Sequence, residues 1–323
     1  MGPMKLAPTI TAASFALLVA NASAQSYSLS APAAPAAATP QRGGTFYEPP
    51  TDVDRLYLPE GPNRPAPRGE NGNWLTLRLA FEQPLRRSDT PTDGFPVQGP
   101  RASAPTLQAS MRARPAANSP WFAQATFLRY LRSERQAPWN PDFTYSFGYQ
   151  SFAPGTWSLV YANSTGTRLH PNRTAGESRW NFSQGEWSVA HRFALPASVR
   201  DAMLVGDGDD ATCVVQGHWM RRYSVATGGA LQGNKKSASL GCRYTRPEGW
   251  FTHFTAFAYP ERGQQQPWDP DFTYGFGWSP PGTGGLTIQY KNYSGNRFPG
   301  RQHGPGEGSL RSGSAMLEWS MEW

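Results

Sequence analysis

The chain has 323 residues, of which 38% are hydrophobic, 13% aromatic and only 16% charged, and its formal net charge is +7. Beyond the N-terminal segment no apolar run approaches the roughly 20 residues of a membrane-spanning helix, which excludes a helical membrane protein. Soluble domains carry about 25% charged residues. This composition therefore favours strands that face lipid, where aromatic rings settle at the boundary with water.

Residues 1–24 have the layout of a secretory signal peptide. Lys5 precedes an apolar run from Ala7 to Ala20, and small residues end the segment before Gln25. A charged start, a short apolar centre and a small-residue cleavage site are the parts of such a signal. We therefore expect an exported mature chain that starts at Gln25. A net positive charge favours anionic partners. Because export excludes nucleic acid, the remaining candidates are phosphates and acidic sugars.

Residues 25–73 are rich in Pro and Ala, as in the stretch Ala31–Pro40. This composition cannot bury a core, and it predicts an extended, disordered linker. From Trp74 onward, short segments of alternating polar and apolar residues are separated by clusters of Gly, Pro, Asn and Asp. This pattern is typical of an all-β domain, which we place at residues 74–323.

Period-two alternation predicts about twelve strands, most of them long enough to cross a membrane at a tilt, which takes about 9 to 11 residues. In the first strand Leu77 and Leu79 alternate with Arg78 and Glu82, so charge is confined to one face. The pattern predicts a closed antiparallel barrel with a polar interior and an apolar exterior. The predicted strands are 74–85, 104–114, 121–131, 142–151, 156–165, 186–195, 211–223, 235–245, 250–260, 271–279, 284–294 and 313–323.

The connections between these strands alternate in length. Long connections at 86–103 and 295–312 contrast with short turns at 153–155 and 246–249. Membrane barrels alternate long loops on one side with short turns on the other. The exception is the link that contains residues 197–203, where we predict a short helix.

An internal repeat links the two halves of this domain. Trp139–Gly148 matches Trp268–Gly277 at an offset of 129 residues, and Trp121–Arg168 shares 19 of 48 positions with its copy without a gap. Self-similarity at a fixed offset indicates repeated structural units. We therefore predict two halves of similar structure, residues 74–196 and 211–323.

The last strand carries the most specific resemblance. Leu317, Trp319 and Met321 alternate with Glu318, Ser320 and Glu322, and the chain ends on the aromatic Trp323. This resembles the C-terminal strand of Gram-negative outer-membrane β-barrel proteins, whose terminal aromatic residue is an assembly signal. The resemblance covers the architecture from Trp74 to Trp323 and identifies a class without a specific family.

The resemblance implies an outer-membrane location and a periplasmic position for the linker at 25–73. It also implies outer-membrane lipid, lipopolysaccharide and the outer-membrane assembly machinery as partners. The alternative from the residues alone is a lipocalin-like barrel or a secreted β-sandwich, which would place its apolar face inward.

The repeat also brings two similar sets of residues to the side of the long loops. A Trp face, an Asp and an Arg could hold a sugar ring by stacking and by hydrogen bonds from a planar guanidinium. The alternative is a duplicated structural corner, in which an Asp–Arg pair pins neighbouring loops. The candidate binding residues are Trp139, Asp142, Asn163, Arg168, Trp268, Asp271, Asn292 and Arg297.

Charged residues on the polar faces predict a lumen in which cations exceed carboxylates. An open lumen would favour anions, whereas a plugged one would use the charges to neutralise one another. A twelve-strand barrel lies between filled barrels of about eight strands and open ones of about sixteen. The principal lumen cations are Arg78, Arg112, Arg192, Arg243 and Lys291, and Arg114, Arg129 and Arg222 are further candidates beside Glu82 and Glu318.

Cys213 and Cys242 are the two cysteines of the chain and fall on neighbouring predicted strands. A turn near Gly228 brings them within about one residue of facing each other, so a cross-strand disulfide is possible, and two unpaired small residues are the alternative. The five histidines show no metal-ligand spacing, and we expect no metal, no cofactor and no catalytic residue. A pair of Ser188 and His191 is a weak candidate for lipid hydrolysis.

We therefore predict a narrow channel or a binding protein for an anionic or carbohydrate solute, with a possible link to the export of a surface polysaccharide. A non-conducting barrel for structure or assembly is one alternative. A lipid-modifying barrel enzyme is the other.

Overall fold

The computed structural model describes only part of the chain. The signal peptide at 1–24 and the linker at 25–73, both predicted from sequence, lie outside the described residues. These are residues 74–85, 105–116, 119–132, 141–151, 155–163, 167–170, 182–202, 206, 209–223, 231–266, 269–280, 285–292, 296–301 and 310–323.

Twelve strands and one α-helix follow one another in the described part of the chain. The strands are β1 Leu75–Pro84, β2 Thr106–Ala113, β3 Trp121–Tyr130, β4 Phe143–Gln150, β5 Trp157–Asn163, β6 Glu186–Ala194, β7 Asp210–Tyr223, β8 Gln232–Thr245, β9 Trp250–Ala258, β10 Phe272–Trp278, β11 Leu286–Asn292 and β12 Ser314–Glu322. Helix α1, Ala197–Ala202, lies between β6 and β7, where the short helix was predicted. No helix in the described residues is both long and apolar enough to span a membrane.

Each strand pairs with its neighbours in sequence order, and the sheet closes between its two ends. β1 pairs antiparallel with β2 on one side and with β12 on the other, so the twelve strands form one closed barrel. Closure leaves no unpaired sheet edge, because every strand of the barrel pairs with a neighbouring strand on both sides. The predicted fold class, an all-β antiparallel barrel of about twelve strands, is confirmed.

The strand faces are the reverse of those in a soluble barrel. In β1 Leu79 is 49% exposed on the outside, whereas Arg78 and Ala80 on the inside are each 6% exposed. β2 repeats this pattern, with Leu107 exposed and Gln108 buried. Apolar side chains point out and polar ones point in, which is the arrangement of a barrel surrounded by lipid. A soluble barrel or sandwich would bury the apolar face instead.

One of the further inward cations, Arg129, was predicted wrongly. Arg129 is exposed and lies on the same face of β3 as Trp121 and Phe127, which point outward. Arg129 lies where β3 meets a long connection, and a charged side chain there can reach water from the outer face. Arg222 is exposed near the end of β7 at the same alternation as the inward Met220, so its inward position stays a prediction.

The two ends of the barrel differ. We call the end that carries the short connections, such as Arg246–Gly249, the short-turn end, and the opposite end the long-loop end. Large aromatic rings on the outer face surround the short-turn end, as expected at a lipid–water boundary. The exposed tryptophans of this ring are Trp121, Trp157, Trp250 and Trp323.

Candidate functional site

Four arginines line the inner wall close to the short-turn end, and we call them the basic belt. Alternation along their strands places all four on the inner face. Three of them are buried, and the fourth is partly exposed. They are Arg78 on β1, Arg112 on β2, Arg192 on β6 and Arg243 on β8.

Neighbouring side chains hold two belt guanidinium groups in fixed positions. Arg112 Nη2 donates to Gln150 Oε1 at 2.8 Å, and its guanidinium carbon lies 3.9 Å from the centre of the Phe122 ring. Arg243 lies at the same 3.9 Å from the ring of Phe251, which is the counterpart of Phe122 in the second half. A planar guanidinium stacks well on an aromatic face. The wall therefore orients these two groups before any solute arrives.

Carboxylates share the interior with the cations. Arg78 Nε lies 3.9 Å from Glu318 Oε1 across the β1–β12 closure. Lys291, also predicted as a lumen cation, is buried on β11, and near the long-loop end Lys235 forms an ion pair with Asp269. Among described charged side chains that are buried, cations outnumber carboxylates: Arg78, Arg112, Arg168, Arg192, Lys235, Lys291 and Arg297 stand against Glu82, Asp269, Asp271 and Glu318.

The predicted binding residues of the first half form a corner at the start of β4. Arg168 Nη1 lies 3.1 Å from Asp142 Oδ1, and the backbone N–H of Leu169 donates to Asp142 Oδ2 at 3.0 Å. Asn163 Nδ2 donates at 3.3 Å to the hydroxyl of Tyr145 on the outer face. Trp139 lies outside the described residues.

The second half repeats this corner at an offset of 129 residues. Arg297 Nη1 lies 3.3 Å from Asp271 Oδ1, and the N–H of Phe298 donates to Asp271 Oδ2 at 3.0 Å. Asn292 Nδ2 donates to the hydroxyl of Tyr274 at 3.1 Å. Trp268 again lies outside the described residues. In each half the Asp oxygens bind the loop that follows one strand, β5 or β11, to the start of the strand before it, β4 or β10. This is the role of a structural corner.

A third polar cluster was missed from the sequence. His218 on β7 contacts Glu186 on β6 through Nδ1 at 3.0 Å, and Ser239 on β8 through Nε2 at 2.9 Å. Ser239 Oγ also lies 3.3 Å from Gln216 Oε1. All of these side chains point into the lumen. The residues come from three strands, so no local spacing in the sequence reveals them.

The weak hydrolase candidate, Ser188 with His191, does not assemble. Three positions separate these residues on β6, and alternation sends their side chains to opposite faces. Ser188 is buried inside and its hydroxyl donates to the carbonyl of Val160 at 3.5 Å. The ring of His191 packs outside against Trp157, with centroids 4.6 Å apart.

The two cysteines face each other directly. Cys213 on β7 pairs with Cys242 on β8 in the ladder register, and the two form a disulfide. The bond ties the two longest strands together on the outer face of the barrel.

No protein-family model and no curated protein matches the chain. Among solved structures, the NanC porin in a rhombohedral crystal form is similar in fold, with 8% identity and a TM-score of 0.37, over 77% of this chain and 99% of that one. A likeness this low carries no argument about function. The strand pairing and the apolar exterior of the chain are what give it its resemblance to outer-membrane β-barrel proteins as a class.

Proposed function

We propose that the chain spans the outer membrane and forms a narrow channel for anionic solutes. The observation that carries this proposal is the basic belt, which sets four arginines around the inner wall close to one end of the barrel. The export signal predicted for residues 1–24 supports the location. The apolar exterior and the ring of tryptophans support it independently, because both match the depth profile of a bilayer.

The belt favours anions for two physical reasons. A wall of low dielectric lined by one sign of charge focuses the field along the lumen and concentrates the opposite ion there. Arginine also presents a planar fork of donors that fits carboxylate and phosphate oxygens. Acidic sugars carry such groups, so the proposal includes them, together with an acidic polysaccharide that is exported to the cell surface.

Ion selectivity tests the proposal. Full-length protein is inserted into a planar lipid bilayer under a KCl gradient, and the reversal potential is measured. We expect a potential of the sign that chloride permeation gives. The double variant Arg112→Gln with Arg243→Gln should move it towards zero, because half of the belt charge is lost.

The matched control is Arg129→Gln. It removes one arginine from the exposed outer face of the same barrel, so the reversal potential should not change. Cation selectivity in the natural protein, or equal selectivity in the double variant and the natural protein, would contradict the proposal.

A non-conducting barrel is the second candidate, and one observation favours it. Inward side chains midway along the wall, such as Thr126 and Thr255, are almost completely buried. A lumen packed with protein would pass no ions and would leave the barrel as an anchor for a periplasmic assembly through the linker. Folded protein that inserts in the bilayer without measurable conductance would support this candidate over the channel.

A further inference from the structure

The cluster around His218 has the connectivity of a nucleophile, a base and an acid. Glu186 Oε1 is 3.0 Å from one ring nitrogen of His218, and Ser239 Oγ is 2.9 Å from the other. In hydrolases that use serine, the histidine takes the serine proton through one nitrogen, while a carboxylate fixes its tautomer through the other. His218 and Ser239 are buried, and Glu186 is nearly so.

Ser239 contacts His218 and lacks the hydrogen bond that its counterpart makes in the first half. Its counterpart in the first half is Ser110, whose Oγ lies 2.7 Å from Thr126 Oγ1. The counterpart of Thr126 is Thr255, and its buried hydroxyl has no hydrogen-bond partner in the described part of the chain. A buried hydroxyl without a partner has an energetic cost. In the second half Thr255 therefore lacks the partner that Thr126 has, because Ser239 contacts His218 instead.

We propose that Glu186, His218 and Ser239 form a site inside the lumen that hydrolyses acyl esters. Ser239 Oγ bonds to the acyl carbon while its proton passes to His218 Nε2, and the alcohol oxygen takes that proton as its bond to the acyl carbon breaks. Water then attacks the acyl-serine and gives a proton to Nε2, which returns it to Ser239 Oγ as the acid leaves. Glu186 stabilises the imidazolium in both steps. One water is consumed, and the products are an acid and an alcohol.

Gln216 supplies the remaining part of the site. Its side-chain amide lies 3.3 Å from Ser239 Oγ on the same inner wall. The oxygen and nitrogen of an amide exchange places by rotation about one bond, and the surrounding hydrogen bonds decide the orientation. With Nε2 towards Ser239, the amide would donate to an acyl carbonyl oxygen that lies beside Ser239 Oγ, which is where negative charge develops in the transition state.

The surrounding wall indicates the chemical class of the substrate. The inner faces of β5, β6 and β7 beside the cluster carry apolar side chains, which suit an aliphatic acyl chain. On β8, Lys235 lies on the same face as Ser239 towards the long-loop end, where its ammonium group is paired with Asp269. The wall therefore indicates an ester with an aliphatic acyl chain. The apolar residues are Val160, Ala162, Ala190, Val214 and Met220.

Covalent labelling of the folded full-length protein in detergent micelles tests the nucleophile. Two serine-reactive probes are used, the small phenylmethylsulfonyl fluoride and a long-chain alkyl fluorophosphonate, and mass spectrometry of the digest locates the adduct. We expect labelling at Ser239 that is lost in Ser239→Ala and in His218→Ala. Ser110→Ala is the matched control, since it removes the counterpart serine from the same inner wall and should leave labelling unchanged.

Hydrolysis of p-nitrophenyl esters of different chain lengths gives the second readout. Glu186→Gln should lower kcat by about 10⁴-fold, the loss seen when the carboxylate of a serine–histidine–carboxylate triad becomes an amide, with little change in KM and a shifted pH profile. A folded barrel that neither probe labels at Ser239, or undiminished hydrolysis in Ser239→Ala, would overturn the proposal. Conductance does not enter these assays, so their outcome is independent of the channel proposal.

Discussion

Asp271→Ala and Asp142→Ala remove the same carboxylate from the two halves of the barrel, and we expect unequal losses of stability. The Asp271 side chain is 0% exposed and the Asp142 side chain is 24% exposed. Asp271 also accepts a bond from Gln265 Nε2 at 2.8 Å. The two corners share the Asp–Arg pair and the backbone contact, so the variants differ in burial and in the bond from Gln265.

The magnitudes follow from what each substitution leaves behind. Without Asp271 the buried guanidinium of Arg297 loses its carboxylate, and breaking a buried ion pair from one side costs about 3 to 5 kcal/mol. Asp142 and Arg168 are closer to water, so the loss there is about 1 to 3 kcal/mol, the range for an unsatisfied polar group. Arg301, which also contacts Asp271, is 50% exposed and adds little. The expected difference between the variants is about 2 kcal/mol.

Urea unfolding of the full-length protein in detergent micelles measures this difference. Tryptophan fluorescence reports the transition, and the mobility of unheated samples on a gel shows that each variant folded. Asp271→Asn and Asp142→Asn keep the size of the side chain and should preserve the order of the two losses. Equal losses, or a larger loss for Asp142→Ala, would refute the argument that burial decides the strength of a corner.

Three further changes test the wall itself. Reduction, or Cys213→Ser with Cys242→Ser, should lower the free energy of unfolding by roughly 3 to 4 kcal/mol for a separation of 29 residues; an unchanged urea midpoint under reductant would exclude this. Gly148→Ala should reduce the yield of folded barrel, because an added Cβ would lie 2.2 Å from the carbonyl oxygen of Leu159 at a φ of +153°. Gly217→Ala, whose Cβ meets nothing within 4 Å, should fold normally, and equal yields would refute the steric argument. Deletion of residues 318–323 removes most of the β12 ladder to β1 and should abolish the heat-dependent gel mobility of outer-membrane fractions; a truncated chain that keeps this shift would contradict a closing role for β12.

The strands were predictable because their alternation is a direct consequence of having lipid on one side and a polar lumen on the other. The start of β8 shows the limit of this signal. Residues 232–234 do not alternate clearly, so the sequence placed the strand start at 235, yet Gly233 pairs with Arg222 in the ladder. Pairing with a long partner strand extends a strand beyond its own pattern.

The site was only partly predictable, for a related reason. Alternation assigns each side chain to a face, which sufficed for the basic belt. At Arg129 the charge suggested an inward position, although the residue shares the outer face of Trp121 and Phe127 in the alternation of β3. Alternation gives no information on which inward residues of different strands meet. The contact of His218 with Glu186 and Ser239 depends on the register of two ladders, and a shift of one residue in either would separate them.

Contacts that recur in both halves maintain the barrel, whereas contacts found in one half are specific to one side of the lumen. The Asp–Arg corners and the contacts of Asn163 and Asn292 recur in both halves, as expected for residues that fasten loops to the same fold. The His218 cluster does not recur. Ladder positions place Ala80 opposite Gln108, where the second half has His218 opposite Ser237. One half therefore has a methyl group where the other has a base, so the chemistry that we propose for the lumen belongs to one half of a repeated frame.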